Sequence, residues 1–91
     1  MVAAGNEEEF IRRWTEFTTW AQRESPGAEG FVLIRNANDP RRFVSFGRWK
    51  SMEDVGRWRS SPDFAKYLGS CRELCDEFTN MDSTAASVVT P

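Results

Sequence analysis

The sequence RRFVSFGRWKSMEDVGRWRSSPDF, which runs from Arg41 to Phe64, predicts one strand followed directly by two helices. Aromatic and β-branched residues are frequent in positions 43–49, and this composition is typical of a short strand. Ser51 is a residue type that often caps a helix, and Pro62 suits the first turn of the next one. The stretch therefore predicts a sheet with helices packed against it.

The two faces of this predicted strand differ because successive residues of a strand point to opposite sides. One face carries Phe43, Ser45, Gly47 and Trp49, and the other carries Val44, Phe46 and Arg48. We expect the first face to lie against the helices. The second face would then expose apolar side chains that a second copy of the chain could cover. The pattern therefore predicts a homodimer in which two sheets pack face to face.

A helix and a second strand are predicted upstream of this stretch. Asn6 can cap the helix, and Ser25-Pro26-Gly27 ends it. One face of the helix has apolar residues at helical spacing, namely Phe10, Trp14, Phe17 and Ala21. The apolar run 31–36 predicts a strand, and the turn residues 38–40 join it to the next strand as an antiparallel hairpin.

The C-terminal part of the chain predicts a long helix and a last strand. The helix starts at Pro62, and its apolar stripe consists of Phe64, Tyr67, Leu68, Cys71, Leu74, Cys75 and Phe78. Residues 84–90 are β-branched in part, which predicts a strand. Residues 1–4 leave room for only a short or missing first strand. We therefore predict an α+β, ferredoxin-like βαββαβ fold with an antiparallel sheet, in a single domain over residues 1–91.

Composition and motifs argue against several kinds of partner. The net charge of −2 argues against nucleic acid, and no apolar run is long enough to cross a membrane. The N-terminus lacks the basic and apolar segments of a signal peptide, so we expect a cytoplasmic protein. The chain has no histidine, and we expect Cys71 and Cys75 to be structural thiols rather than metal ligands. Without a glycine-rich phosphate loop, we expect no cofactor.

The order of these features resembles the antibiotic biosynthesis monooxygenase (ABM) family of small dimeric α+β barrel proteins. The pattern is a strand that ends in Trp49, a helix with Trp58 nine residues later, and then Ser61-Pro62-Asp63-Phe64. The resemblance extends upstream through residues 5–10 and 25–31. It implies a dimeric α+β barrel that binds a flat apolar or polyphenolic metabolite and oxygenates it without metal or flavin.

Two chemical types within the family differ at positions that can be matched to this chain. In the quinone-forming monooxygenases an Asn lies four residues before the strand Trp and a Tyr six residues after it, whereas this chain has Ser45 and Val55 there. In the haem-degrading oxygenases the helix Trp matches Trp58, and the haem-ligating His ten residues later is Leu68 here. The resemblance thus disfavours haem degradation and leaves the quinone-forming machinery half present.

Residue types and resemblance together define a candidate site on the inner side of the sheet. Trp49 and Ser45 are the catalytic candidates, because an indole N–H and a hydroxyl can hold the anion of a substrate that reacts with O₂. Gly47 leaves space on the same face, which predicts a cavity. The predicted pocket is lined by Phe43, Gly47, Trp14, Trp58, Phe64 and Leu68. Alternatively these aromatics fill the core, and the protein is a non-catalytic dimeric binding or assembly module with a closed pocket.

Overall fold

The computed structural model describes residues 1–80, 82–83 and 86–90, and in them it places three helices and a two-stranded sheet. In chain order the elements are α1 (Glu7–Glu24), β1 (Ala28–Arg35), β2 (Phe43–Trp49), α2 (Met52–Arg59) and α3 (Pro62–Arg72). The predicted α+β class, the hairpin and the starts of the three helices are confirmed. Within the described residues, no helix is long and apolar enough to span a membrane.

Helix α1 begins with three glutamates and contacts both β1 and α3. The glutamates at 7–9 lie where the helix dipole favours negative charge. Asn6 occupies the capping position, but its side chain makes no capping hydrogen bond, so that detail of the prediction is wrong. Its φ and ψ of −101° and 7° differ from the extended values that a side-chain cap usually has. The residues buried by the helix are Phe10, Phe17 and Ala21.

Strands β1 and β2 form an antiparallel hairpin in which Phe31 lies opposite Gly47 and Leu33 lies opposite Ser45. The register shifts just before Phe31, where Gly30 has a φ of +120°. Only glycine adopts this φ without strain, so the irregularity in β1 depends on that residue. Beyond the shift, the regular register fixes which side chains share a face of the sheet.

The two faces of the sheet differ in burial. The inner face packs towards the helices and carries half-buried side chains, namely Phe31, Leu33, Phe43, Ser45 and Trp49. The opposite face has four apolar side chains that are between 47% and 56% exposed. We call these four residues the outer apolar face, and they are Val32, Ile34, Val44 and Phe46. The predicted orientation of β2 is therefore confirmed.

The ends of α2 and α3 show one confirmed prediction and one error. Ser51 caps α2, because its Oγ accepts a hydrogen bond from the backbone N–H of Asp54 at 3.2 Å. Helix α3 was expected to continue to Phe78 but ends at Arg72. The chain then makes a tight turn, in which the N–H of Cys75 donates to the carbonyl of Arg72. The turn directs the following residues towards the N-terminus, and this pairing replaces further helical hydrogen bonds.

The N-terminal residues replace the first strand of the sheet. Val2 forms an isolated antiparallel bridge with Cys75, and the N–H of Ala3 donates to the carbonyl of Leu74. On the other side, the N–H of Val2 donates to the carbonyl of Arg41 at 2.8 Å. Val2 thus joins the start of β2 to the segment after α3. Where the sequence predicted a short or missing first strand, the structure thus has only this isolated bridge, outside the two-stranded sheet.

The predicted last strand at residues 84–90 is not formed in the part of it that is described. Positions 84 and 85 lie outside the described residues, and residues 86–90 have no strand structure. Val88 and Val89 are 74% and 91% exposed. A β-branched segment becomes a strand only where a neighbour supplies hydrogen bonds. The position beside Val2 is taken by Cys75 instead.

The core lies where the N-terminus, α1 and α3 meet. Its buried members are Val2, Phe10, Phe17 and Cys71. Burial raises the pKa of the Cys71 thiol to about 11, so this thiol stays protonated at neutral pH. Arg13 also joins α1 to the end of α3, because its guanidinium donates to the carbonyl of Ser70 at 2.8 Å and pairs with Glu73.

Candidate functional site

Aromatic side chains from the inner face of the sheet and from the helices form one continuous cluster. We call it the inner aromatic cluster, and it consists of Phe10, Trp14, Phe17, Phe31, Phe43, Trp49, Trp58 and Phe64. Phe17 links the two halves of the cluster, because its ring centroid lies 5.3 Å from that of Trp14 and 5.5 Å from that of Trp58. Aromatic pairs at such distances attract each other beyond simple burial. The structure therefore brings together the aromatic residues that the sequence assigned to the pocket.

At one end of the cluster, Ser45 fixes the indole of Trp14. Nε1 of Trp14 donates a hydrogen bond to Oγ of Ser45 at 2.9 Å. A hydroxyl that accepts in this way can still donate its own proton. Ser45 therefore remains able to donate its own O–H, and the bond restrains both side chains. The sequence indicated both residues but not the bond between them.

The gap at Gly47 is filled by Phe31, its partner on the neighbouring strand. A Cβ atom added to Gly47 would lie 2.9 Å from Cε1 of Phe31 and 3.2 Å from Nε1 of Trp49. The first separation is well below the optimal distance between carbon atoms. Phe31 thus occupies the place of the predicted cavity, and the glycine makes room for its ring. The sequence analysis did not assign Phe31 to the site, although the hairpin register that places it there could have identified it.

At the other end of the cluster, several rings meet at Trp58. Its ring centroid lies 4.8 Å from that of Trp49 and 4.7 Å from that of Phe64. The ring centroid of Phe31 lies 6.0 Å from that of Trp58. Nε1 of Trp58 is buried and has no hydrogen-bond partner among the described residues. The ring of Trp58 is therefore surrounded by other aromatic rings, but its indole N–H has no hydrogen-bond acceptor among the described residues.

Two positions matched to the family belong to the apolar packing of the protein. Val55 is 7% exposed, so the position at which the quinone-forming enzymes have Tyr is a buried apolar position here. Leu68 packs against the buried core and offers no atom that can ligate iron. The polar groups that the described residues place on the inner face include the hydroxyl of Ser45, indole N–H groups and the guanidinium of Arg35, which lies opposite Phe43.

Charged side chains near the start of α1 and the end of β1 are mostly paired with other side chains on the surface. Hydrogen bonds from Arg12 and Arg13 lower the pKa of Glu9 to about 2. The guanidinium of Arg35 lies 4.9 Å from the ring centroid of Phe43, a cation–π distance. Within the described part of the chain, no three His, Cys, Asp or Glu residues are grouped so that they could hold a metal ion.

Two open grooves lie on the surface beside the inner aromatic cluster. One has a volume of about 580 Å³, includes residues of α1 and β1, and reaches Phe31. The other has a volume of about 410 Å³, includes residues of α1, α2 and α3, and reaches Trp58. Solvent therefore approaches the cluster at these two side chains.

The family profile described as "Antibiotic biosynthesis monooxygenase" matches residues 1–69 of the chain. The chain belongs to the ABM family. The matched range includes α1, the hairpin, α2 and the first two turns of α3. All members of the inner aromatic cluster lie within it, so the cluster is part of the family's domain.

Solved structures similar to this ABM-family protein include two oxygenases. SnoaB from Streptomyces nogalater, a cofactor-independent oxygenase, has a TM-score of 0.75 at 21% identity, with 90% of this chain and 87% of SnoaB covered. A second structure, an antibiotic biosynthesis monooxygenase, has a TM-score of 0.74 at 14% identity, with 93% and 92% covered. No curated protein sequence is a significant match. At these identities the similarity establishes the fold, and it confirms the predicted ferredoxin-like class.

Proposed function

We propose that this ABM-family protein binds a flat aromatic or polyphenolic metabolite at the inner aromatic cluster and oxygenates it slowly, without metal or flavin. The observation that carries the proposal is the cluster itself, in which the indoles of Trp49 and Trp58 lie 4.8 Å apart. Aromatic walls with a few polar groups suit a planar ligand. The fold is also that of SnoaB, a cofactor-independent oxygenase.

Cofactor-free oxygenation requires a substrate that can itself reduce O₂. A hydroxyanthrone is such a compound, because loss of a C–H proton to solvent gives an electron-rich enolate. The enolate passes one electron to O₂, and the resulting carbon radical and superoxide join as a peroxide. Cleavage of the O–O bond with loss of water leaves a quinone carbonyl, so that one anthrone and one O₂ give one quinone and one water. The protein's share is to hold the anion in a dry, oriented site.

The proposed catalytic groups are the O–H of Ser45 and the N–H of Trp49, which lie towards opposite ends of the inner aromatic cluster and would donate to separate oxygen atoms of the substrate anion. Each preorganised donor of this kind typically contributes about 3 to 4 kcal/mol to catalysis. The related enzymes have Asn and Tyr where this chain has Ser45 and Val55, and the Ser45 hydroxyl also accepts a hydrogen bond from Trp14. We therefore expect a slow oxygenase.

Oxygen uptake with 1,8-dihydroxyanthrone tests the proposal. We expect uptake above the rate in buffer and formation of the matching quinone. Trp49→Phe keeps an aromatic ring but removes the N–H, and it should reduce the rate. Uptake no faster than with heat-denatured protein would contradict the activity. An unchanged rate for Trp49→Phe would contradict the role of that residue.

We further propose that the protein is a homodimer, with the outer apolar face of one copy on that of another. The support is the exposure of all four side chains of this face on a small chain. Burial of such an apolar surface against a partner is favourable, and in a two-fold symmetric dimer the identical face of the second copy is that partner. Sedimentation velocity at micromolar concentration should show a dimer.

A second candidate function is a non-catalytic binding or assembly module. Two observations favour it: Phe31 fills the gap at Gly47, and Trp14 restrains the hydroxyl of Ser45. Such a protein would bind the stable product 1,8-dihydroxyanthraquinone and take up no O₂ with the anthrone. Isothermal titration beside the oxygen-uptake assay separates the two candidates.

Haem is not expected to be a substrate of this protein. Leu68 stands where the haem-degrading relatives have a ligating His, and the chain contains no histidine. We expect only weak hydrophobic adsorption of haem, without a defined Soret shift. A stoichiometric Soret shift at one haem per chain, followed by reductant-dependent loss of the band, would show the opposite.

A further inference from the structure

The indole N–H of Trp58 is a buried donor that lacks an acceptor. Its Nε1 atom is shielded from solvent, and no hydrogen-bond partner is present among the residues that the structure describes. Among those residues, it is the one buried side-chain nitrogen or oxygen in this state. Folded proteins rarely leave a buried donor unpaired, because its lost hydration is not replaced. This exception therefore needs a physical explanation.

The surroundings of Trp58 explain why the protein supplies no acceptor. The ring centroid of Trp58 lies between 4.7 and 6.0 Å from those of four other rings, which belong to Phe17, Phe31, Trp49 and Phe64. Phenyl rings have no conventional acceptor, and an indole N–H can only donate. By contrast, the indole of Trp14 has the hydroxyl of Ser45 at 2.9 Å. The indole of Trp14 is thus satisfied internally, whereas that of Trp58 is left for an acceptor from outside.

We propose that Trp58 donates its indole N–H to an oxygen atom of the bound ligand and thereby determines which ligands are accepted. This inference rests on the proposed function and adds the chemical class of the ligand. The ligand is a planar aromatic that carries a carbonyl or phenolate oxygen, because an aromatic hydrocarbon would leave the donor unpaired. Trp58 also lines the groove of about 410 Å³, so it lies at the boundary between the cluster and the surface.

An N–H···π contact with Phe64 is the competing explanation. The rings of Trp58 and Phe64 are inclined by 76° at 4.7 Å, and an N–H that points into an aromatic ring forms a weak hydrogen bond. The donor would then be partly satisfied without any ligand. In that case, the ring current of Phe64 would hold the indole proton at high field, and a ligand would not change its position.

Nuclear magnetic resonance of the indole groups distinguishes these explanations. The chain has four tryptophans, and single Trp→Phe variants assign the four indole N–H signals. The probe is 1,8-dihydroxyanthraquinone, which is planar, carries carbonyl oxygens and is not oxidised by O₂, so that the titration reports binding alone. We expect the indole proton of Trp58 to move downfield at saturation. An unmoved signal, or no binding of the quinone, would overturn the proposal.

Replacement of Trp58 by β-(3-benzothienyl)alanine removes the N–H and keeps the bicyclic ring. We expect the Kd for the quinone to rise about tenfold, which corresponds to one lost hydrogen bond. The melting temperature should not fall, because the change removes an unpaired donor. The matched control is the same replacement of Trp20, which lines the same groove and stacks on Tyr67 at 4.8 Å, but whose N–H is not a buried unpaired donor. Unchanged affinity after replacement of Trp58 would contradict the proposal.

The outcomes also separate this inference from the proposed function. If the quinone binds and shifts the signal of Trp58 while the anthrone causes no O₂ uptake, the oxygenase activity is wrong and the role of Trp58 stands. If O₂ uptake is observed while neither the signal nor the replacement responds, the activity stands and the role of Trp58 is wrong.

Discussion

The inner and outer faces of the sheet are both apolar, but the chain covers only one of them with its own helices. The inner face contributes to the inner aromatic cluster, whereas the residues of the outer apolar face remain 47% to 56% exposed. Strands that are apolar on both sides are typical of sheets buried on both sides. The difference agrees with the proposed division of roles, in which the inner face would carry binding and chemistry and the outer apolar face would carry assembly.

The largest expected effect comes from a charge on the outer apolar face. In the proposed dimer, Phe46→Glu would bury two carboxylates, and burial of an unpaired charge costs several kcal/mol for each ion. We therefore expect the dimer Kd to rise at least about a thousandfold. The monomer should keep its fold, because Phe46 is 56% exposed within one chain. Sedimentation velocity and circular dichroism measure the two effects.

Met52→Glu is the matched control for that change. Met52 is 54% exposed, like Phe46, but it lies in the first turn of α2 and outside the sheet. A negative charge there is favourable for the helix. We expect Met52→Glu to remain dimeric. A monomeric wild type, or equal dissociation by both variants, would remove the proposed role of the outer face.

The next largest effect should come from the inner face, where Trp58 packs among four rings. Trp58→Ala should lower the free energy of unfolding by about 3 to 5 kcal/mol, the range for loss of a large aromatic from a core. Val32→Ala on the outer face should change it by less than about 0.5 kcal/mol in the monomer. Urea unfolding of both variants, made in the Phe46→Glu background, keeps dimerisation from contributing. Similar losses would mean that the two faces are equally buried.

Most of the fold could be predicted from local patterns. The alternation in β2, the Ser51 cap and the helical spacing in α1 each depend on neighbouring residues, and all three are confirmed. The end of α3 was predicted too late because a distant contact, the bridge of Val2 with Cys75, decides it. Residues 86–90 were assigned to a strand from composition, but a strand also needs a partner.

The candidate site could be predicted only as a set of residues. Sequence placed Trp14, Ser45 and Trp58 on one side of the sheet, but it could not show that Ser45 accepts from Trp14 while Trp58 has no acceptor. Both facts depend on distances between separate elements. The space at Gly47 was predicted to be open, and it is filled by Phe31 because the pairing register sets these two residues opposite each other.

A smaller effect on the inner face is expected from Ser45→Ala. This change removes the acceptor of Trp14 and leaves a partly buried N–H unpaired, which should cost about 1 to 3 kcal/mol. Ser45→Asn is the matched variant, because its amide oxygen can accept the same bond and it restores the residue of the quinone-forming relatives. We expect it to be more stable than Ser45→Ala and to take up O₂ faster than the wild type. Equal stability of the two variants would show that the bond to Trp14 contributes little.

The smallest expected effect compares two glycines, one beneath the inner aromatic cluster and one on an exposed helix. Gly47→Ala adds a methyl group 2.9 Å from the ring of Phe31, so the ring must move. We expect a loss of about 1 kcal/mol, at the low end of the range for overpacking. Gly56 lies in α2 with no atom within 4 Å of an added Cβ, and Gly56→Ala should stabilise the protein by roughly 0.5 to 1 kcal/mol. In thermal unfolding, we therefore expect a lower melting temperature for Gly47→Ala and a higher one for Gly56→Ala than for the wild type.

A double-mutant cycle shows whether Phe31 causes the expected loss at Gly47. In the Phe31→Ala background both ring atoms nearest to the added methyl group are absent, so Gly47→Ala should cost less there than in the wild type. The nearest remaining atom is Nε1 of Trp49 at 3.2 Å, a tight but smaller conflict. If the full cost persists without the phenyl ring, Trp49 rather than Phe31 limits position 47. The absence of a side chain at position 47 would then make room for the indole of Trp49, the proposed catalytic group, rather than for the ring of Phe31.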